Sequence, residues 1–401
     1  MPARGRRSFK ILPCFAAMNN YKMPGMETLL SSNSSLQTPA LIYDEQTLLQ
    51  TLAHLAEAKK KLGIHILYSI KALSHPVILD IIARNVDGFS ASSLFEAMLS
   101  RKILGNKGSV HITTPAIAEQ EISGLLENVD YISFNSLSQW DRFQKVDWKE
   151  VHLGLRVNPQ LSFVKDERYD PCRTNSKLGI PMSDLLHKNL SLEKISGIHF
   201  HTNCDALNLN PLLETVMHVS REMDQLPLQL DWMNLGGGYL FDEIRDWDPL
   251  AKAVEFLTKK RCSKIFIEPG EAVVGHSGYL ASTVLDVFES DGKKIAIIDS
   301  TINHMPQFFE YQYKPTILES RPQEKFSYVI AGRTCLAGDL YGQYCFPTPL
   351  EIGSRITFAS VGAYTLVKSN MFNGINLPNL YLLTATGKLV ELRKFSFQDF
   401  W

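Results

Sequence analysis

Ile66-Leu67-Tyr68-Ser69-Ile70-Lys71-Ala72 reads as a short buried strand with a lysine at its C-terminal tip. A long, polar-rich helical pattern precedes it, and Ser74-His75-Pro76 opens another helix after it. Lysine is among the residues least often buried, so one closing an apolar strand asks for a reason. Two reasons stay open at this point. The lysine is a strand-end side chain that snorkels to water, or it is an amine placed to form a Schiff base with a carbonyl.

Outward from this stretch the pattern alternates strand and helix. Candidate strands are 64–70, 86–90, 109–112, 130–134, 151–157, 195–201, 231–235 and 264–268, each followed by a helical or mixed segment. Eight such units across roughly 210 residues argue for a closed (β/α)8 TIM barrel over an open sheet. Upstream, Thr38 to Tyr43 reads as a strand, and Asp44 is placed to cap an amphipathic helix running to Leu62. After Gly278 the texture changes to β-rich segments between Gly and Pro turns: 279–288, 295–298, 327–330, 355–358 and 380–383. The expected organisation is an N-terminal extension over 1–36, a barrel over 37–278 and a C-terminal all-β domain over 279–401. The 38–43 strand is a candidate to pair with that last domain.

The chain has 401 residues, 45% hydrophobic and 21% charged, as a globular protein with sizeable cores requires. A formal net charge of -1 gives no electrostatic case for a nucleic-acid or membrane-surface partner. No apolar run is long enough to span a bilayer. Cys14, Cys172, Cys204, Cys262, Cys335 and Cys345 form no CxxC pair and no zinc-ribbon spacing, which suits free thiols in a reducing cytoplasm. The first 26 residues carry Arg4, Arg6, Arg7, Lys10 and Lys22 and no acid. Their apolar segment, 11–18, is short for a signal peptide and broken by Pro13. A disordered tail, or a true start at Met23 or Met26, is expected instead.

The polar motifs fall at strand tips, where such barrels place their chemistry. His199 and His201 end the sixth strand, two residues apart and so on one face. They are open to a metal site, to stacking of an imidazole on a planar ring, or to plain packing. Gly236-Gly237-Gly238 ends the seventh strand, where backbone N–H groups can approach an anion closely. Glu268-Pro269-Gly270-Glu271 ends the eighth, suited to a cation, to a proton on a heterocyclic nitrogen, or to a simple turn. In the β-rich part, Ala331 to Asp339 is a Gly-rich loop with a thiol and a carboxylate. Gly362-Ala363-Tyr364-Thr365 and Met371-Phe372-Asn373-Gly374 form a further polar, aromatic loop.

In this order the motifs resemble the fold-type III pyridoxal-phosphate decarboxylases, the alanine-racemase-like group that includes ornithine, arginine and diaminopimelate decarboxylases. The resemblance covers about 38–401. Within the group it is most similar to the branch acting on carboxylated polyamines. Four strings carry that: Ser92-Ser93-Leu94-Phe95-Glu96, Tyr169-Asp170-Pro171-Cys172 ahead of Ser176 to Gly179, His304-Met305-Pro306, and Cys335-Leu336-Ala337-Gly338-Asp339. The diaminopimelate branch carries Arg and an acid where Glu271 and Leu336 stand. Asn203 and Gln307 depart from the closest branch, which has an apolar residue and an acid there.

The resemblance implies pyridoxal 5'-phosphate held by Lys71, with His201 stacked on its ring and Gly237, Gly238 and Tyr364 on its phosphate. Glu268 would keep the pyridine nitrogen protonated, and Cys335 would reach the site from the partner subunit of a homodimer as proton donor. No metal is implied. A glutamate at ~5 Å from phosphate, at an effective dielectric of ~20, costs roughly 3 kcal/mol per like charge. Glu271 is therefore expected to face a cation, and Glu271, Asp299 and Asp339 are the candidates for the distal amines of a small polyamine substrate. Rival expectations are a diaminopimelate, ornithine or arginine decarboxylase, a catalytically silent relative, and a metal-dependent barrel hydrolase using His199 and His201.

Overall fold

The computed structural model describes residues 36–187, 191–226, 228–311 and 313–401. The extension expected over 1–36 lies outside these except for Leu36. Two compact units emerge: Leu49–Val273, and the described residues up to Leu48 together with Val274–Trp401.

Leu49–Val273 is a closed barrel of eight parallel strands. They are His65–Ser69, Gly88–Ala91, Ser109–Ile112, Tyr131–Phe134, His152–Asn158, Gly197–His199, Trp232–Asn234 and Lys264–Ile267. The eighth strand closes on the first through Phe266 opposite His65 and Ile267 opposite Ile66. Each strand is buried along nearly all its length, as expected where helices cover a parallel sheet. Inside, the His111 ring stacks on Tyr131 at 4.0 Å, and Tyr131 meets Trp232 edge-on at 5.4 Å. The indole of Trp232 is admitted by two glycines: a Cβ at Gly154 would lie 2.5 Å from that ring, and one at Gly197 1.9 Å.

The first strand ends two residues before Lys71. The Ser69 N–H donates to Pro269 O, 2.9 Å, just past the end of the eighth strand, and Ile70–Ala72 forms a single 3-10 turn. Lys71 thus projects, exposed, from a turn at the barrel mouth rather than from the strand itself.

In the other unit, Ala40–Asp44 runs antiparallel to Gly278–Ser290 and parallel to Asn379–Leu383. Asp44 Oδ1 accepts the Gln46 N–H at 3.1 Å, capping the helix Glu45–Leu62. A register shift between Val284 and Asp286 bends Gly278–Ser290. That strand pairs with Lys293–Ile298 along one part and Arg355–Ala359 along another. Phe326–Ala331 and Leu340–Phe346 extend one edge, and Leu389–Arg393 the other.

Candidate active site

In the barrel unit the strand tips hold one another through hydrogen bonds that the sequence does not display. The Gly237 N–H donates to His201 Nδ1 at 3.1 Å. Gly237 was expected, with Gly238, as a phosphate donor; its N–H is engaged by the imidazole. Burial, followed by the nearby charges of Lys71 and Arg156, holds the His201 pKa well below its usual value, so Nδ1 keeps its lone pair.

Close approach explains the three glycines. A Cβ on Gly236 would stand 2.3 Å from Phe200 O, one on Gly237 2.2 Å from Glu268 O, and one on Gly238 1.9 Å from Asn203 O. The loop is also pinned to the sixth-strand tip by the Ala206 N–H, which donates to Gly238 O at 2.9 Å.

Glu268 is largely buried, with 10% of its side chain exposed, and its pKa is held below the usual carboxylate value. Burial alone would raise its pKa, but His199, Ser90 and Asn234 outweigh that and lower it. Asn234 Nδ2 donates to Glu268 Oε1 at 2.8 Å, while Asn234 Oδ1 accepts the Gly236 N–H at 2.9 Å. His199 Nε2 stands 3.6 Å from Glu268 Oε2, and its Nδ1 lies 3.1 Å from Thr113 Oγ1. His199 therefore faces a carboxylate. Among the described residues, no group of three or more His, Cys, Asp or Glu side chains is arranged to hold a metal.

Glu271 begins the short helix Glu271–Val274. Burial first, then Asp205, Asp242 and Glu243, push its pKa up. The charge of Lys71 acts on Glu96, His201 and Cys204, and Glu271 also acts on Cys204, so these groups share one end of the barrel.

The remaining candidates lie in the sheet unit. Cys335 is exposed, and its N–H donates to Asn373 Oδ1 at 2.9 Å. Asn373 has a φ of 56°, the left-handed region that Asn tolerates well. Tyr364 also has a positive φ, 59°. Its loop is pinned by Gln307, whose Nε2 donates to Thr365 Oγ1 at 2.7 Å.

Asp339 differs from its expected role as an amine ligand. Its buried carboxylate accepts the Ile302 N–H at 2.7 Å, the Thr334 N–H at 3.0 Å and the Thr334 hydroxyl at 2.5 Å. Asp299 likewise accepts the Thr283 N–H of a neighbouring strand at 3.0 Å. Both carboxylates are employed by their own surroundings. Thr113 and Asn234 were missed from sequence, while Gln307 and Asn373 were noted there without a structural role. Only Asn234, directly before the Leu235-Gly run, had a positional signal.

A closed (β/α)8 barrel with an amine at the first strand tip, a glycine cradle after the seventh and a buried anion on the eighth defines a pyridoxal-phosphate barrel enzyme. Residues 49–275 match the family described as pyridoxal-dependent decarboxylase, pyridoxal binding domain, and the chain belongs to it. It is 34% identical over 381 residues to a carboxynorspermidine/carboxyspermidine decarboxylase of Campylobacter jejuni, covering 91% of this chain and 98% of that protein. It is 32% identical to a carboxyaminopropylagmatine decarboxylase of Synechocystis, covering 92% and 95%. The crystal structure of carboxynorspermidine decarboxylase with norspermidine from Campylobacter jejuni superposes with a TM-score of 0.82 at 31% identity, over 91% of this chain and 99% of that one. The family's cofactor is pyridoxal 5'-phosphate. The side-chain-free glycine cradle and the ionised Glu268 suit its phosphate and its pyridinium nitrogen.

Proposed function

We propose that the chain decarboxylates a carboxylated polyamine, carboxynorspermidine and/or carboxyspermidine, to norspermidine or spermidine in cytoplasmic polyamine biosynthesis. The observation that carries this reading is Glu271. It lies within the fields of Asp205, Asp242 and Glu243, at the end of the barrel where the charge of Lys71 is also felt. Burial and these acids push the Glu271 carboxyl up to about 8, so it holds a proton near neutral pH. A substrate ammonium beside it would favour the ionised form and gain a charge-assisted hydrogen bond, whereas a second carboxylate, as in diaminopimelate, would not.

When bound, pyridoxal phosphate supplies an electron sink for the pair left behind as the substrate's C–C bond to carboxylate breaks and carbon dioxide departs. Lys71 supplies the amine that holds the cofactor. Gly238 would bind its phosphate, with Tyr364 assigned there by the resemblance alone, and His201 would face its ring. Glu268, its pKa lowered by His199, Ser90 and Asn234, would hold a proton on the pyridine nitrogen. The Cys335 thiol would supply the proton that takes the place of the departing carboxylate. In the homodimer we propose, Cys335 serves the site of the partner copy, by analogy with the family resembled. Asp299 and Asp339 are assigned to the fold of the sheet unit.

The test is a carbon-dioxide-release panel over carboxynorspermidine, carboxyspermidine, carboxyaminopropylagmatine, meso-diaminopimelate, ornithine and arginine. The expected result is a kcat/KM for one of the first two at least tenfold above every amino acid. A preference for meso-diaminopimelate, ornithine or arginine overturns the substrate assignment, and release from none of them makes the chain a silent relative.

A further inference from the structure

The three glycines after the seventh strand are held by a side chain from just beyond the tip of the sixth. The Gly237 N–H ends on His201 Nδ1 at 3.1 Å, and a Cβ at Gly236 would lie 3.1 Å from that same nitrogen. The Gly236 N–H is taken by Asn234 Oδ1, and Gly238 O by the Ala206 N–H. Gly236 and Gly238 have φ of +69° and +84°. Glycine has little intrinsic preference among such conformations, so a loop of this kind holds one shape only where outside contacts fix it. His201 provides the contact at the middle residue.

Resting on the function proposed above, we propose that His201 is the positioning residue of the glycine loop. Its Nδ1 anchors the Gly237 N–H and so aims the following amide, Gly238, at the phosphate. One imidazole thereby couples the grip on the phosphate to the cover of the ring. The lone pair this needs is preserved, because burial and then the Lys71 charge keep the imidazole unprotonated. A donor locked in place contributes more to anion binding than one that must first be ordered.

The two duties separate by substitution. In His201→Phe a ring remains but the acceptor is gone. In His201→Asn the ring is gone, while Oδ1 stands close to where Nδ1 stood. The full-length chain is stripped of cofactor and titrated, by absorbance and protein fluorescence, with pyridoxal 5'-phosphate and separately with pyridoxal. The quantity read is the ratio of the two dissociation constants, which reports the phosphate's share of binding. Thermal melting confirms that each variant is folded.

The expected result is that His201→Phe lowers this ratio about tenfold, the value of one well-made hydrogen bond to an anion. His201→Asn should weaken both ligands together and leave the ratio within about twofold of the parent. A folded His201→Phe protein that keeps the parental ratio overturns the anchor while leaving the cofactor assignment intact. A parent that binds pyridoxal as tightly as pyridoxal 5'-phosphate overturns the cofactor assignment, and the anchor with it.

Discussion

Truncating Asp339 to alanine separates two roles that predict opposite measurements. The carboxylate is buried, with the side chain in a residue only 3% exposed, and it accepts three hydrogen bonds from Ile302 and Thr334. Hydrogen bonds to a charged group contribute about 1.5–3 kcal/mol each. Water reaches the part-buried Thr334 end once the carboxylate is gone, so the simple sum is too large. A loss of about 4 kcal/mol follows, at the upper end for single substitutions. Domains of about 150–250 residues lose roughly 2–4 °C per kcal/mol, so Tm should fall by about 8–16 °C. Melting followed by circular dichroism, alongside steady-state carbon-dioxide release, provides the assay. The expected outcome is a large drop in Tm and lower kcat, because the loop bearing Cys335 loses its staple, with KM changed less than threefold. A Tm within about 2 °C of the parent, together with a KM raised tenfold or more, would return Asp339 to the role of amine ligand.

Three further outcomes are expected. Gly237→Ala places a Cβ 2.2 Å from the Glu268 carbonyl, an overpacking cost of about 1–3 kcal/mol. It should weaken pyridoxal 5'-phosphate roughly 10- to 100-fold; unchanged affinity by absorbance titration would show that the close approach is not needed. His111 is held at about 3 by burial, below the usual 6.5, although Glu268 opposes this. The unfolded chain therefore binds the proton first: the stability is full above 6.5 and is lost as pH falls toward 3. That amounts to about 2 kcal/mol lost by pH 5, which His111→Phe should abolish in urea unfolding at pH 7 and pH 5. Equal losses in both proteins would contradict this. Finally, Lys71→Ala and Cys335→Ala should each be inactive, yet mixed dimers should recover activity at roughly a quarter of all sites, since random pairing makes about half the dimers mixed. No recovery in tag-verified mixed dimers would mean that each subunit completes its own site.

The barrel was legible because strands covered on both faces are apolar runs punctuated by turn residues, and all eight stand near their expected positions. Their tips were less so. The sixth was read through His201, but the ladder stops at His199 because the chain there turns to meet the glycine loop. Leu340–Phe346 was missed in the sheet unit: Gly342 interrupts its pattern and a register shift breaks its pairing with Phe326–Ala331. The lysine, histidine, glycine and glutamate motifs were readable as residue types in order. What the sequence hid was the allocation of their donors. Whether a Gly237 N–H meets a phosphate or an imidazole, and whether the Asp339 carboxylate meets an amine or its own loop, depends on neighbours 36 and 37 residues away.

The placement of Ala40–Asp44 sets a timetable for synthesis. Its parallel partner ends at Leu383, 339 residues later (383 − 44). At translation rates of about 5–20 residues per second, that strand waits roughly 17–70 s for its partner to be made. The barrel segment, contiguous from Leu49 to Val273, is complete well before then. Until Gly278–Ser290 is made, Ala40–Asp44, buried at all five positions in the finished protein, is an apolar segment with both edges open, and one edge stays open until Leu383 is added. Shielding it falls to whatever meets the nascent chain, so the yield of active enzyme depends on an N-terminal strand that belongs to the last part of the molecule to be assembled.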